Sequence, residues 1–214
     1  MNKFLKYNKR EPLPDERKIS YSQFSMYSQC PKHWELAYAR NLRTFSQSIH
    51  TVFGTAMHET LQHYLTVMYN DSVKAADAIN IHEYLKDQMY SIYKEAVEKM
   101  GEHFSNKFEL GEFYEDGVAI LDWFKRKRGA YFSRKNEELL GIETPIYHPV
   151  NETNDKVMML GYLDVVIRNK VTDTITIIDI KTSTRGWNKW QKADKTKTSQ
   201  LVLYKKYFAE QYGF

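Results

Sequence analysis

The sequence predicts an α+β fold, with a helical first half and a short sheet following it. Up to about residue 135 apolar side chains recur at three- and four-residue spacing. Beyond residue 140 three β-rich runs follow one another across turn-forming loops, and helical spacing returns at the end. Short connections between the runs favour an antiparallel meander.

Residues 1–18 are polar, contain Pro12 and Pro14, and read as an arm; 19–214 read as one domain. Ser20 or Ser22 is placed to cap a short helix ending at Gln29, and Pro31 starts a second over 32–40. A helix over about 52–69 follows. Asp71-Ser72 caps a longer helical pattern that fades at Gly101, and a third runs over about 111–135. The helical region thus covers about 52–135. Strands are expected at about 140–149, 157–168 and 174–181, and a last helix over 198–211. Ile175-Thr176-Ile177-Ile178 is so apolar that the third strand reads as buried on both faces.

The chain has 214 residues, with 31 Lys plus Arg against 27 Asp plus Glu, a formal charge of +4. This mild excess is compatible with a polyanionic partner. A single cysteine, Cys30, excludes an intramolecular disulfide, a four-cysteine zinc site and an all-cysteine iron–sulfur cluster built from this chain alone. That fits a reducing compartment. The first residues lack the apolar stretch of a signal peptide, and no run approaches the roughly 18 apolar residues of a membrane span. A cytoplasmic protein is expected, including one that a virus would place in its host's cytoplasm.

The charged residues in the strand region carry the chemistry. Glu143 lies on the first strand, Asp164 on the second, and Asp179-Ile180-Lys181 ends the third. Strand alternation places Asp179 and Lys181 on one face with Ile180 on the other. Charges at the end of an apolar strand are costly unless compensated, and a divalent metal would compensate. Paired carboxylates with a nearby lysine suit phosphodiester hydrolysis. The acids hold Mg²⁺ or Mn²⁺, the metal activates a water, and the lysine offsets developing negative charge. The plain alternative is that such acids only cap turns.

On the helix at 52–69, Phe53, Met57, Leu61, Tyr64, Leu65 and Met68 form the apolar stripe. His58 lies at its flank, as a hydrogen-bonded core residue or a ligand, and His63 falls among Glu59, Gln62 and Thr66 on the solvent side. On the last helix Leu201, Leu203, Tyr204, Tyr207 and Phe208 make the buried face. Gln200 falls in its middle, where an unpartnered amide would cost about 1–3 kcal/mol; Tyr204 is one turn on. Gln200 is either a cap or, with Tyr204, part of a site. Arg185, Trp187, Lys189, Trp190 and Lys192 interleave aromatic and basic residues in the loop before that helix, a mixture that stacks on bases and neutralises phosphates. Trp123-Phe124-Lys125-Arg126 reads instead as an amphipathic core helix with a solvated basic face.

Six motifs in order resemble the restriction-endonuclease-like, PD-(D/E)XK nuclease superfamily, and within it the RecB-type exonuclease branch. They are Ser20-Tyr21-Ser22 with Cys30-Pro31, Gly54 to His58, Glu143 on its strand, Gly161 to Asp164, Asp179 to Lys181, and Gln200 to Tyr204. The resemblance implies a mixed sheet with flanking helices. It implies that His58, Asp164, Asp179 and the main-chain carbonyl of Ile180 bind Mg²⁺ or Mn²⁺, that Lys181 is catalytic, and that Glu143 is an accessory acid. Gln200 and Tyr204 would position the DNA strand or the carboxylates. Relatives with a [4Fe–4S] cluster use three further cysteines, so no iron–sulfur cluster is expected. The resembled core also has a strand after its last helix, which this sequence lacks. A partner subunit or self-association completing the sheet is therefore expected. The function implied is metal-dependent DNA cleavage by an exonuclease. The alternatives are a structure-specific endonuclease and a non-cleaving nucleic-acid-binding or scaffold module.

Overall fold

The computed structural model describes residues 15–43, 46–151, 154–182, 189 and 195–214, without the side chains of 154–155 and 195–197. Its centre is the long strand β3 (Asn154–Asn169). The strand β2 (Glu137–Asn151) runs antiparallel along one edge of β3, and β4 (Ile175–Ile178) pairs antiparallel with its Val165–Arg168 end. The expected meander is present. A short strand, β1 (Arg17–Ile19), adds in parallel beside Val157–Met159, so the residues 17 and 18 assigned to the polar arm belong to the sheet. Alternation of only three residues, two of them charged, gives no sequence signal for it.

The helices start where capping side chains stand. Ser20 accepts from the Gln23 amide and opens α1 (Tyr21–Gln29); Cys30 and Pro31 open α2 (Pro31–Trp34), which continues as a π-helical turn over Glu35–Ala39. Ser48 caps α3 (Ile49–Asn70). The long pattern expected after Asp71 is two helices, α4 (Val73–Ala78) and α5 (Ile81–Met100), interrupted at Ile79-Asn80 and closed by Gly101 in the left-handed region at φ 76°. Asn106 caps α6 (Lys107–Lys127), which ends earlier than the expected residue 135 because Arg128–Ala130 tightens into a 3₁₀ turn before β2. The last helix, α7, is Lys195–Tyr212. No helix among the described residues is long and apolar enough to cross a membrane.

The sheet separates two cores. One side packs α3, α5 and α6 around Tyr64, Leu65, Leu85 and Leu121 with Val165 and Ile167 of β3. The other packs Tyr204, Tyr207 and Phe208 of α7 on Leu140, Ile146, Met159, Leu163 and Val166. Strict alternation would put Leu163 and Val165 on the same face, yet they belong to opposite cores. The pleat therefore slips at Asp164. On β2 the matching place is Glu143, between the pairs Ile142–Val165 and Thr144–Leu163, and its backbone is left-handed with φ 46°. Such a conformation costs a non-glycine residue about 1–3 kcal/mol.

The third strand departs from its expectation in two ways. It ends at Ile178, so Asp179-Ile180-Lys181 is an extended tail beyond the ladder. It is also only half-buried: Ile175 and Ile177 lean on the α7 core, Ile178 on the other, and no strand among the described residues pairs with the outer edge of β4. Leu201, expected in the buried face of α7, is exposed beside that edge. On α6 Phe124 is buried while Lys125 and Arg128 reach out to Asp77, as expected of an amphipathic core helix.

Candidate active site

The seam between the two cores gathers the charged residues. Asp164 is 9% exposed, and its Oδ2 accepts the backbone N–H of Ile180 at 2.6 Å. That bond ties the tail after β4 to the slipped position on β3, while the Ile180 side chain packs into the α3 core and anchors the tail from below. His58 Nδ1 stands 3.7 Å from the same carboxylate oxygen. Burial pushes the Asp164 carboxyl above the ordinary aspartate range; the Ile180 amide and His58 pull it down, and Asp179 and Glu143 push it further up.

Asp179 and Lys181 point the same way although the strand ends at Ile178: Lys181 Nζ lies 2.8 Å from Asp179 Oδ2. The other Asp179 oxygen accepts from Gln200 Nε2 at 3.4 Å, and the same amide donates to the Tyr204 hydroxyl at 3.1 Å. Gln200 is thus partnered within the site and is not merely a helix cap. Burial raises the Tyr204 hydroxyl above its ordinary pKa, against the Gln200 hydrogen bond. The Tyr204 ring lies on Gly161, so the Gly-x-x-Asp and Gln-x-x-x-Tyr motifs meet face to face.

On α3, Gly54 faces the chain just past Lys181: a Cβ there would touch Thr182 Oγ1 at 3.7 Å. His58 and Gln62 follow at one-turn intervals. Sequence reasoning placed Gln62 on the solvent side; it is buried, at 7% exposure, and donates to Glu143 Oε1 at 2.6 Å and to the Asp164 carbonyl at 3.4 Å. The wheel sorted faces by hydropathy, and a polar face buried against acids defeats that criterion. His63 is likewise not bare surface, because its ring stacks on Tyr84 at 4.5 Å and 7°. Thr51, Gly54, Thr55, His58, Glu59, Gln62 and Glu143 line a cleft of about 540 Å³. In it the Glu59 carboxyl is pushed up by burial and by the neighbouring Glu95 and Glu143.

His58, Glu143, Asp164, Asp179, Lys181, Gln200 and Tyr204 are therefore brought together from α3, β2, β3, the tail and α7. Arg185, Trp187, Trp190 and Lys192 lie outside the described residues, and Lys189 is exposed. Three carboxylates share this seam with one lysine, so negative charge is in excess. The donor types, two aspartates, an imidazole and the Ile180 carbonyl, suit a hard or borderline divalent ion. Among the described residues no three His, Cys, Asp or Glu side chains converge tightly enough to hold one ion without adjustment. Asp179 is turned onto Lys181 and Asp164 onto the Ile180 amide. The donor types, and not their present placement, are those of a divalent-ion site.

The helix-flanked mixed sheet carries an acid, an acid-x-Lys and a helical histidine along one seam. The model of the PD-(D/E)XK nuclease superfamily matches residues 18–213, and the chain belongs to that superfamily. No curated protein matches the chain closely enough to count as a relative.

Proposed function

We propose that this chain is a divalent-metal-dependent DNA nuclease of the RecB-like exonuclease type, acting in DNA processing, recombination or repair. The observation that carries this reading is the Asp164–Ile180 hydrogen bond, which sets the acid of β3 beside the Asp179–Lys181 pair. His58, Asp164, Asp179 and the Ile180 carbonyl would hold Mg²⁺ or Mn²⁺, with Glu143 as an accessory acid. When bound, such an ion polarises the phosphoryl oxygen and acidifies a water. Lys181 supplies the positive charge that offsets negative charge growing on the phosphate, and Gln200 keeps Asp179 and Tyr204 in register. A site that had lost cleavage would not need an ammonium held on a half-buried carboxylate, which disfavours a non-cleaving scaffold.

Cleavage of end-labelled linear DNA beside a closed circle, with Mg²⁺, Mn²⁺ or EDTA, tests the reading. Mononucleotides or short products from the linear substrate alone support an exonuclease. Nicking of the circle would establish an endonuclease, and binding without cleavage would establish the scaffold.

The segment holding Arg185, Trp187, Lys189, Trp190 and Lys192 is proposed to grip DNA without reading bases. Neutralising Lys189 and Lys192 should then flatten the salt dependence of binding. Among the described residues no strand pairs with the outer edge of β4, which supports completion of the sheet by a partner subunit or a second copy. Beside that edge a cleft of about 460 Å³ is lined by Ile175, Ile177, Leu201, Phe208 and Phe214. Light scattering tests this: a strictly monomeric, fully active chain would contradict it. The cytoplasm is the proposed compartment, on the strength of one free, exposed Cys30.

A further inference from the structure

Gln62 has no role in the motifs that mark the site, yet it is the side chain that joins α3 to both acid-bearing strands. Its Nε2 donates to Glu143 Oε1 at 2.6 Å and to the main-chain carbonyl of Asp164 at 3.4 Å. An amide nitrogen has two hydrogens, and two oxygen acceptors on two strands use both. The two acceptors also dictate which end of the amide faces the sheet. The place it grips combines two local departures: Glu143 sits at φ 46°, opposite Asp164, the residue at which β3 changes faces.

A left-handed glutamate persists only where its surroundings over-determine it. An amide suits that task better than a cation or an acid, because it binds a carboxylate without cancelling its charge or adding another. Gln62 also follows His58 by four residues on one helix, so α3 sets the histidine and the accessory acid by one rigid element.

We infer that Gln62 is a positioning residue. It holds the Glu143 carboxylate and the slipped backbone at Asp164 in the arrangement that receives the divalent ion and the substrate phosphate. The inference rests on the nuclease reading and adds to it the residue through which Glu143 acts. Partners of this kind, standing behind a metal-binding group, change metal affinity or turnover by about 10- to 100-fold when lost.

The test is a double-mutant cycle of Gln62→Met, which fills the same space without donors, and Glu143→Ala. Mn²⁺ affinity is read by calorimetry, kcat and KM on labelled DNA, and Tm without metal. Gln62→Met should weaken Mn²⁺ binding and lower kcat by about 10- to 100-fold with KM for DNA nearly unchanged. In the Glu143→Ala background the same substitution should change Mn²⁺ affinity by clearly less, about threefold, since the close partner is gone and only the 3.4 Å contact to the Asp164 carbonyl remains. If Gln62→Met melts below the assay temperature, Gln62→Asn, which retracts the amide by one methylene, serves the same comparison. Equal losses in both backgrounds, or wild-type affinity and kcat in the single variant, would overturn the inference while the wild type still binds Mn²⁺ and cleaves. A wild-type chain that does neither overturns the nuclease reading, and this inference with it.

Discussion

The ring of Tyr204 lies so close to Gly161 that a Cβ on the glycine would stand 2.9 Å from Tyr204 Cε1. The contact joins β3 to α7 three residues before Asp164, and the Tyr204 hydroxyl in turn meets the amide that reaches Asp179. Gly161 is therefore required by close approach, not by a turn.

Gly161→Ala should push the Tyr204 ring aside and destabilise the chain by about 1–3 kcal/mol, the usual cost of overpacking. Turnover should fall as Gln200 loses its register on Asp179. Tyr204→Leu in the same chain, which narrows the side chain, should recover most of the lost melting temperature. A Gly161→Ala chain with unchanged Tm would show that the helix yields freely here.

Asp164 links site and stability. Its carboxyl titrates above the ordinary 3.8 in the folded chain, chiefly through burial. The folded state then holds its proton more tightly than the unfolded one, so this group's contribution favours folding at low pH and is lost as pH rises through the window above 3.8. Burial penalises the ionised form of this carboxyl in the metal-free chain. Asp164→Asn, which can still accept the Ile180 N–H, should raise the metal-free Tm at pH 7 and have little effect near pH 4. The same variant should lose the Tm increase that Mn²⁺ gives the wild type. A lower Tm at pH 7 would mean that the charge is compensated within the apo site.

The two histidines of α3 should separate cleanly. His58→Ala should weaken Mn²⁺ binding with little change in metal-free Tm, because its ring is 3.7 Å from Asp164 and 27% exposed. His63→Ala should spare metal binding and cost about 0.5–1.5 kcal/mol of stability through the lost stack on Tyr84. Calorimetry and thermal melts on both variants check this; equal effects on Mn²⁺ affinity would mean that the helix presents a different face to the site.

The sequence was most legible where period and chemistry agreed. The α3 stripe, the β2–β3–β4 meander and the Asp179–Lys181 pair all follow from spacing, and the motif order indicated the superfamily. Three features were hidden for physical reasons. β1 is too short and too charged to show a pattern, although pairing with β3 gives it backbone partners. Gln62 is polar on a face that hydropathy reads as wet, because the solvent it would have met is replaced by Glu143 and the Asp164 carbonyl. The left-handed Glu143 and the face change at Asp164 break the alternation on which any strand reading depends.

Cleavage of end-labelled linear DNA by wild type, Asp179→Asn and Lys181→Met tests the central claim most directly, run with Mn²⁺ and with EDTA and accompanied by thermal melts. The account predicts wild-type cleavage only with the metal. It also predicts no cleavage by either variant, Tm values within a few degrees of wild type, and Mn²⁺ binding lost in Asp179→Asn but retained in Lys181→Met. Metal-independent cleavage by the wild type, or full activity of either folded variant, would contradict it.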